Sequence, residues 1–585
     1  MAGTSPEARN SRQSEDGRSQ GGLRSNFSLH AAAFVALSRL LSFMAAATPL
    51  SSSTDSQAWT RRFWLLLAGV VVFRMLYLAF AVDFQLSGDE AYYWDWGRRP
   101  DWCYYSKPPL IGWLMGLIGW LFGASWLAIR MTATLLGTAT LALLFFLGRR
   151  LFDARTGFFA ALLLLASPAN VMSNFGLTID APLLVCWTAA LLVFWHVLNE
   201  PRRVMNWVLL TLIVGIGTLA KQMMLAFPGL MIIFTLVSPE HRTLLKRPAF
   251  WLCILGSLAF LTPLIAWNVQ HQWVTLTHTS EHFHHKSLGL LEWLVQFLTF
   301  PVLQAAMYSP VTWGVLMAVL WGSLRSWKSL ELRQRFLVAF SAPGLAVFLV
   351  LALRQNIGPN WPAVFYVPLF VLAASLAPAS FRLNAWMRRG GWVGGAMAAL
   401  IYVYLPLIRP LGLAGDKRLD PCAPMRGWDV AGLQAGQFWD KMLHPESTFV
   451  LVLDHRRYAS QMAFSMPQHP QVYRWTESGK IESQYEIWPD ASDKIGWDCL
   501  VIFPDSEEQN YKKDDLPRPV RHAFDKMHKL GDVYVNVGRG VLRSFQVFQC
   551  KRMLHLPPTE RAILARGGDL AELERDPPPS PPPSK

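Results

Sequence analysis

Apolar runs long enough to cross a bilayer recur along most of this chain, and they limit its fold more than any other feature. A spanning helix needs about 17–25 apolar residues. Such runs stand near 63–82, 126–148, 156–174, 181–198, 205–220, 222–238, 248–267, 308–324, 336–353, 361–378 and 391–410. Eleven spans follow, or up to thirteen if 108–122 and 288–306 cross as a pair. Backbone groups find no water in hydrocarbon, so each run is expected to be a helix. Composition agrees: 585 residues that are 52% hydrophobic and only 16% charged are too apolar for an ordinary soluble domain.

The formal charge of +14 does not indicate nucleic acid, because that reading needs basic residues gathered on one soluble face. Here the basic residues fall in alternate short loops: Arg61/Arg62, Arg149/Arg150/Arg155, Arg202/Arg203, Arg242/Lys246/Arg247, Arg325/Lys328/Arg333/Arg335 and Arg382/Arg388/Arg389. Those loops are expected to be cytoplasmic. The loops between them, and everything after 411, are then outside. Six cysteines form no CxxC pair and no metal-ligand spacing. Four of them, Cys103, Cys422, Cys499 and Cys550, fall on the oxidising side, where a disulfide among them is allowed.

Four regions follow. Residues 1–58, rich in Ser, Gly and charge, read as a disordered cytoplasmic tail. A membrane domain runs over 59–412. From 413 to 552 the short runs "TFVLVLDHR", "QVYRW", "WDCLVIFP" and "GDVYVNVG" predict a small α/β domain on the outer face, either a structural cap or an element that covers a site or binds an acceptor. A Pro-rich tail occupies 553–585. The fold class is therefore an α-helical polytopic membrane protein carrying a small extracytoplasmic α/β domain.

Charge beside hydrocarbon costs several kcal/mol unless it is paired or wetted, so ionisable residues at span ends are informative. Asp89 and Glu90 follow the first span, amid Tyr92, Tyr93, Trp94 and Tyr105, an aromatic belt able to stack on sugar faces. Lys107 comes next, and Asp180 returns a carboxylate to the same level at the end of another span. Arg74 and Arg130 lie within spans and need partners, for which Asp83, Asp89 and Asp180 are the candidates. Five histidines, His271, His278, His282, His284 and His285, crowd one outer loop. His278 and His282 stand four apart, as two zinc ligands on a helix face do, but no acidic or Cys partner completes a set. His271 and His278 are read instead as cavity walls, with Asn360 and Trp361 in the Pro-bounded turn 359–362.

At these residues the chain resembles a known group. "SGDEAYYWDWG", "YYSKPPLIGWLMGL", "LTIDAPLLVCW" and "NIGPNWPA", in this order, are similar to the bacterial branch of the GT-C glycosyltransferases. That superfamily includes protein mannosyltransferases and the aminoarabinose transferase acting on lipid A. "WNVQHQW", "YASQMAF" and "SQYEIW" are weaker matches of the same kind. The resemblance implies an inner-membrane enzyme, with its active site periplasmic, that moves a sugar from a polyprenyl-phosphate donor to a lipid, glycan or protein acceptor.

It further implies inversion, with Asp89 as base and Lys107 as phosphate ligand. Glu90 and Asp180 are left to orient Lys107, bind acceptor hydroxyls or hold a divalent ion, and no cofactor is expected to be required. Lys221, Lys286 and Arg354 are further outer-side cations that could bind phosphate or serve as snorkelling anchors. Ser106 stands where the aminoarabinose transferase has glutamate, a departure that bears on the acceptor. A multi-pass transporter or flippase of lipid-linked sugars is the alternative, though it is expected to show related halves and mid-membrane charge.

Overall fold

The computed structural model describes residues 53–281, 289–416, 418–505, 515–537, 540–567 and 569–573. It is a helical membrane body with a five-stranded domain at one end. Among the described residues seven helices are long and apolar enough to cross a membrane: Thr54–Phe80, Trp126–Leu151, Asp180–Asn199, Pro248–Gln270, Leu290–Tyr308, Leu332–Ala352 and Phe381–Leu407. The pair Ala154–Leu165 and Pro168–Phe175, bent by 69°, makes an eighth if it is one span. Four shorter apolar helices, Leu110–Phe122, Val204–Ala220, Gln222–Val237 and Ala363–Ala379, account for most of the remaining runs.

The runs that fall short of a full-length spanning helix do so at local breaks. Ser167 and Pro168 stop one helix and start the next. At Lys221 the backbone is extended (φ −159°, ψ 138°) between two helices. One expected boundary also moves, because residues 53–58, assigned above to the tail, are the first turns of the helix Ser53–Phe80.

The sheet of the soluble domain has strands β1 (Thr448–Leu453), β2 (Val472–Trp475), β3 (Asp498–Pro504), β4 (Phe524–Val537) and β5 (Gly540–Met553). Their order is β2-β1-β3-β5-β4. β1 pairs in parallel with both β2 and β3, and β5 runs antiparallel to β3 and β4. All six residues of β1 are buried, as a central strand covered on both faces requires. Phe449, Leu451 and Leu453 pack on one side. Val450 and Val452 pack on the other, in a core that also contains Leu86, Tyr92, Trp94 and Trp96 of the membrane body. Sheet and membrane body thus share one apolar interior.

The thiols of all six cysteines are free, although Cys499 and Cys550 are register partners across β3 and β5. The expected tail at 553–585 also begins later than the composition suggests. The Trp475 indole donates to the Pro557 carbonyl (3.2 Å), and Ile563, in the helix Glu560–Ala565, is fully buried.

Candidate active site

The acidic segment after the first span becomes the helix Gly88–Arg98, which lies against Leu110–Phe122. The two backbones touch at Gly97 and Gly116, where a Cβ on Gly97 would sit 2.4 Å from the Gly116 nitrogen. Ser87 begins the helix with a capping box. Its hydroxyl accepts from the Glu90 amide (3.2 Å), and Glu90 Oε2 accepts from the Ser87 amide (2.9 Å).

Three motifs from distant parts of the chain clamp this segment. From "WNVQHQW", the Trp267 indole donates to Asp101 (2.7 Å). From "YASQMAF", Gln461 donates to the Leu86 carbonyl (2.8 Å) and Ser460 to that of Gly88 (3.3 Å). From "SQYEIW", the Tyr485 hydroxyl donates to Asp95 (2.8 Å), and Gln484 accepts from the Tyr105 amide (2.7 Å) while its own amide donates to the Tyr92 hydroxyl. The soluble domain is therefore the outer brace of the acidic helix.

Below that brace lies a cavity of about 740 Å³. At its polar end are Asp89, Tyr93, Lys107, Asp180, Lys221, His278, Asn360 and Trp361. An apolar trough continues from there along one face of each of two helices, through Ala226, Leu230 and Ile233 and through Gly344, Val347 and Leu351. The three- and four-residue spacings are those of a single helical stripe.

The three carboxylates proposed as catalytic separate by their partners. Glu90 is 1% exposed; besides capping, it accepts from the Leu177 amide (3.1 Å) and faces Arg130 at 3.6 Å. It is built into the scaffold and does not line the cavity, which corrects its placement among the catalytic groups. In Asp180, Oδ1 accepts from Lys221 (2.7 Å) and Oδ2 from Asn360 (2.6 Å), so both oxygens are engaged. Asp89 is 58% exposed; its Oδ1 accepts from Arg456 (3.1 Å), while its Oδ2 has no hydrogen bond among the described residues. Of the three, Asp89 alone keeps an oxygen available to take a proton.

Arg456, the first residue of the helix Arg456–Ser465, was missed by the sequence reading. Its guanidinium lies 4.6 Å from the centre of the Tyr92 ring, so the soluble domain brings a cation to the carboxylate. Its neighbour His455 caps that helix by accepting from the Arg457 amide (3.1 Å). Burial, then Arg456 and Arg457, lower the His455 imidazole to about 4 and keep it neutral. The available signal for Arg456 was its position two residues before "YASQMAF".

Lys107 lines the cavity, and its ammonium has no ion-pair or hydrogen-bond partner among the described residues. Burial, then Lys221, hold it below the ordinary lysine range, while Asp89 and Asp180 act the other way. It is a desolvated amine facing the cavity. Tyr93, buried next to Asp89, has its phenol pushed upward first by burial and then by that carboxylate, so it stays a protonated donor.

The other expected residues lie elsewhere. Tyr92 stands behind the wall, stacked on Tyr485. Trp94 turns away to meet Phe464 and His469. Tyr105 reaches the cavity only through His278, with ring centres 4.6 Å apart. His271 stacks on Trp267 at 3.9 Å and does not line the cavity. Arg354 is exposed and is not in the lining. Lys286, His282, His284 and His285 fall outside the described residues. Among the described residues no group of three or more His, Cys, Asp or Glu could hold a metal ion.

The in-span arginines are paired, but not as expected. Arg74 donates to Asn170 (2.6 Å) and Tyr402 (3.0 Å), and Arg130 to the Phe84 and Gln85 carbonyls as well as facing Glu90. Asp83 instead pairs with Arg426. Removing one partner of a buried ion pair costs about 3–5 kcal/mol. Glu90→Ala is therefore expected to lower thermal stability in detergent by roughly that much, whereas an equally stable variant that lost only activity would return Glu90 to the chemistry.

Three similarities to known proteins accompany this geometry. The family model for dolichyl-phosphate-mannose-protein mannosyltransferase matches residues 106–267. The lipid A galacturonosyltransferase RgtD of Rhizobium johnstonii is 26% identical over 439 residues, which cover 72% of this chain and 86% of the relative. In structure, ArnT from Cupriavidus metallidurans bound to undecaprenyl phosphate aligns with a TM-score of 0.57 at 17% identity, over 85% of this chain and 98% of that one. Its apo form aligns with a TM-score of 0.56. The structural likeness shows a shared fold.

Proposed function

We propose, from the premise that this chain is a multi-pass membrane glycosyltransferase of the GT-C class, that it moves a sugar from a polyprenyl-phosphate donor to an acceptor hydroxyl at the outer face of a bacterial inner membrane. The observation that carries this reading is the cavity itself. A desolvated Lys107, unpaired among the described residues, and a half-free Asp89 stand at the head of an apolar trough within the membrane body. A lipid phosphate sugar has the matching parts: a prenyl chain for the trough, an anion for Lys107, and an anomeric carbon between cation and base. ArnT, crystallised with undecaprenyl phosphate, supports the same carrier class, and the lipid A galacturonosyltransferase relative supports sugar transfer.

In the reaction the acceptor O–H attacks the anomeric carbon, the bond from that carbon to the phosphate oxygen breaks, and the lipid phosphate departs as an anion. Asp89 Oδ2 takes the hydroxyl proton as the new bond forms. Arg456 holds the other oxygen and fixes the carboxylate's orientation. Lys107 neutralises the phosphate as its charge grows, so the leaving group needs no proton donor. Asp180, Lys221 and Asn360 form a preset polar wall that joins three helical segments around the reacting centre. Attack from the side opposite the phosphate inverts the anomeric configuration. The arginine-rich loops lie at the other membrane end, which supports an outward-facing chamber.

The test is transfer by purified protein from a polyprenyl-phosphate sugar to envelope lipid, followed by mass spectrometry, beside the envelope lipids and glycans of cells lacking the gene. A gain of one sugar residue in vitro and its loss in the cells are expected. Movement of the intact donor between leaflets without transfer would favour the flippase instead. Gly229 lines the trough, and a Cβ there meets nothing within 4 Å. Gly229→Leu is therefore expected to fold and to raise the KM for donor by at least tenfold, read from initial rates at varied donor.

A further inference from the structure

A second cavity, of about 470 Å³, opens at the opposite end of the membrane body. Ala363–Ala379 begins beside Asn360 of the candidate site, and its far end supplies Ala374, Ala377 and Pro378 to this second cavity. At about 1.5 Å per residue, the two sites are some 20–25 Å apart along that helix.

Two helices form the remaining walls. Ala154–Leu165 contributes Arg155, Phe159 and Leu162, and Phe381–Leu407 contributes Asn384, Arg388 and Gly391, one stripe from each. They meet at the deep end, where a Cβ on Gly394 would lie 2.7 Å from the Ala166 carbonyl oxygen. They splay toward Arg155 and Arg388. The result is an apolar trough with two guanidiniums and the Asn384 amide on its rim.

Neither arginine is in an ion pair among the described residues. Arg155 lies 5.9 Å from the Phe159 ring. Asp153, the carboxylate in this lining, is turned to the N-terminus of its own helix, where it accepts from the Thr156 amide (2.7 Å). The same end carries Arg149 and Arg150 in the last turn of Trp126–Leu151, Arg202 and Arg203 in a turn, and Arg382 and Arg389 on Phe381–Leu407, so it has a positive field.

We propose that this trough binds an anionic glycerophospholipid of the leaflet opposite the candidate active site, with its phosphate on Arg155 and Arg388 and an acyl chain along the Phe159 and Leu162 stripe. Basic pockets between membrane helices take anionic headgroups in this way. A zwitterionic lipid fits less well, because its own amine competes for the phosphate and meets like charge at the rim. The assignment is independent of the proposed reaction, since none of these residues lines the first cavity.

The experiment is native mass spectrometry of the full-length, delipidated protein titrated with phosphatidylglycerol, phosphatidylethanolamine or undecaprenyl phosphate. Phosphatidylglycerol is expected to bind at least tenfold more tightly than phosphatidylethanolamine. Arg155→Gln with Arg388→Gln is expected to remove most of that preference. Gly391→Leu fills the trough at a place where a Cβ meets nothing within 4 Å, so it is expected to fold and to weaken phosphatidylglycerol binding by a similar factor with the arginines intact. Equal binding of the two phospholipids, binding unchanged in both variants, or tighter binding of undecaprenyl phosphate that both variants abolish would each overturn the assignment.

Discussion

Asp89→Asn is expected to leave a protein that inserts, retains its soluble domain and binds donor, yet transfers sugar more slowly by roughly 10²- to 10⁴-fold, the usual worth of a positioned general base. The substitution keeps the size of the side chain and an oxygen for the Arg456 contact, so packing is little changed. It removes the acceptor for the hydroxyl proton. The effect belongs in kcat, read from single-turnover rates at saturating donor. Asp180→Asn is the informative companion. Both Asp180 oxygens are already engaged by Lys221 and Asn360, so its loss loosens the cavity wall and leaves the proton acceptor in place. If Asp180→Asn stopped turnover while Asp89→Asn did not, the assignment of the base would reverse.

Lys107→Met is expected to act on the donor. Truncating one member of a buried charge pair costs about 2–5 kcal/mol, or on the order of 30- to 5,000-fold in affinity. Competition by undecaprenyl phosphate should weaken by a factor in that range. The same residue sets an alkaline limit. Burial and Lys221 lower the Lys107 ammonium, so its charge is lost as pH rises before an ordinary lysine would lose it. Donor binding should therefore decline on the alkaline side ahead of a free lysine's titration, and Lys107→Arg, which stays charged, should remove the decline. A profile identical in the native protein and Lys107→Arg would place the limiting titration elsewhere.

What was legible in the sequence follows from how far each signal reaches along the chain. Asp89, Lys107, Asp180, Lys221 and Asn360 all stand where an apolar run ends, and charge at such places must be paired or functional. The cavity lining brings those five together. Glu90 was separable in principle, since Ser87 and Glu90 have capping-box spacing, but an adjacent acidic pair invites reading both members alike. His271 similarly stands four residues after Trp267, the interval at which helical side chains meet, and it stacks there.

Arg456 was out of reach because 367 residues separate it from Asp89, and no local periodicity reports a contact of that kind. The weaker motifs around it carried the information in another form. "YASQMAF" and "SQYEIW" hold the acidic helix from outside, which gives the soluble domain a role beyond covering the membrane body. Hydropathy registers the run 156–174 but not the break within it at Ser167–Pro168, whereas the break at Lys221 falls between two runs. The second of those breaks is also what brings a lysine to Asp180.

A cryo-EM structure of the protein with undecaprenyl phosphate bound tests the central claim most directly. The phosphate is expected within hydrogen-bond distance of Lys107 Nζ, with the prenyl chain against Leu230 and Ile233 and the open side of the phosphate toward Asp89. A phosphate seated away from Lys107, with the trough below it vacant, would contradict the account.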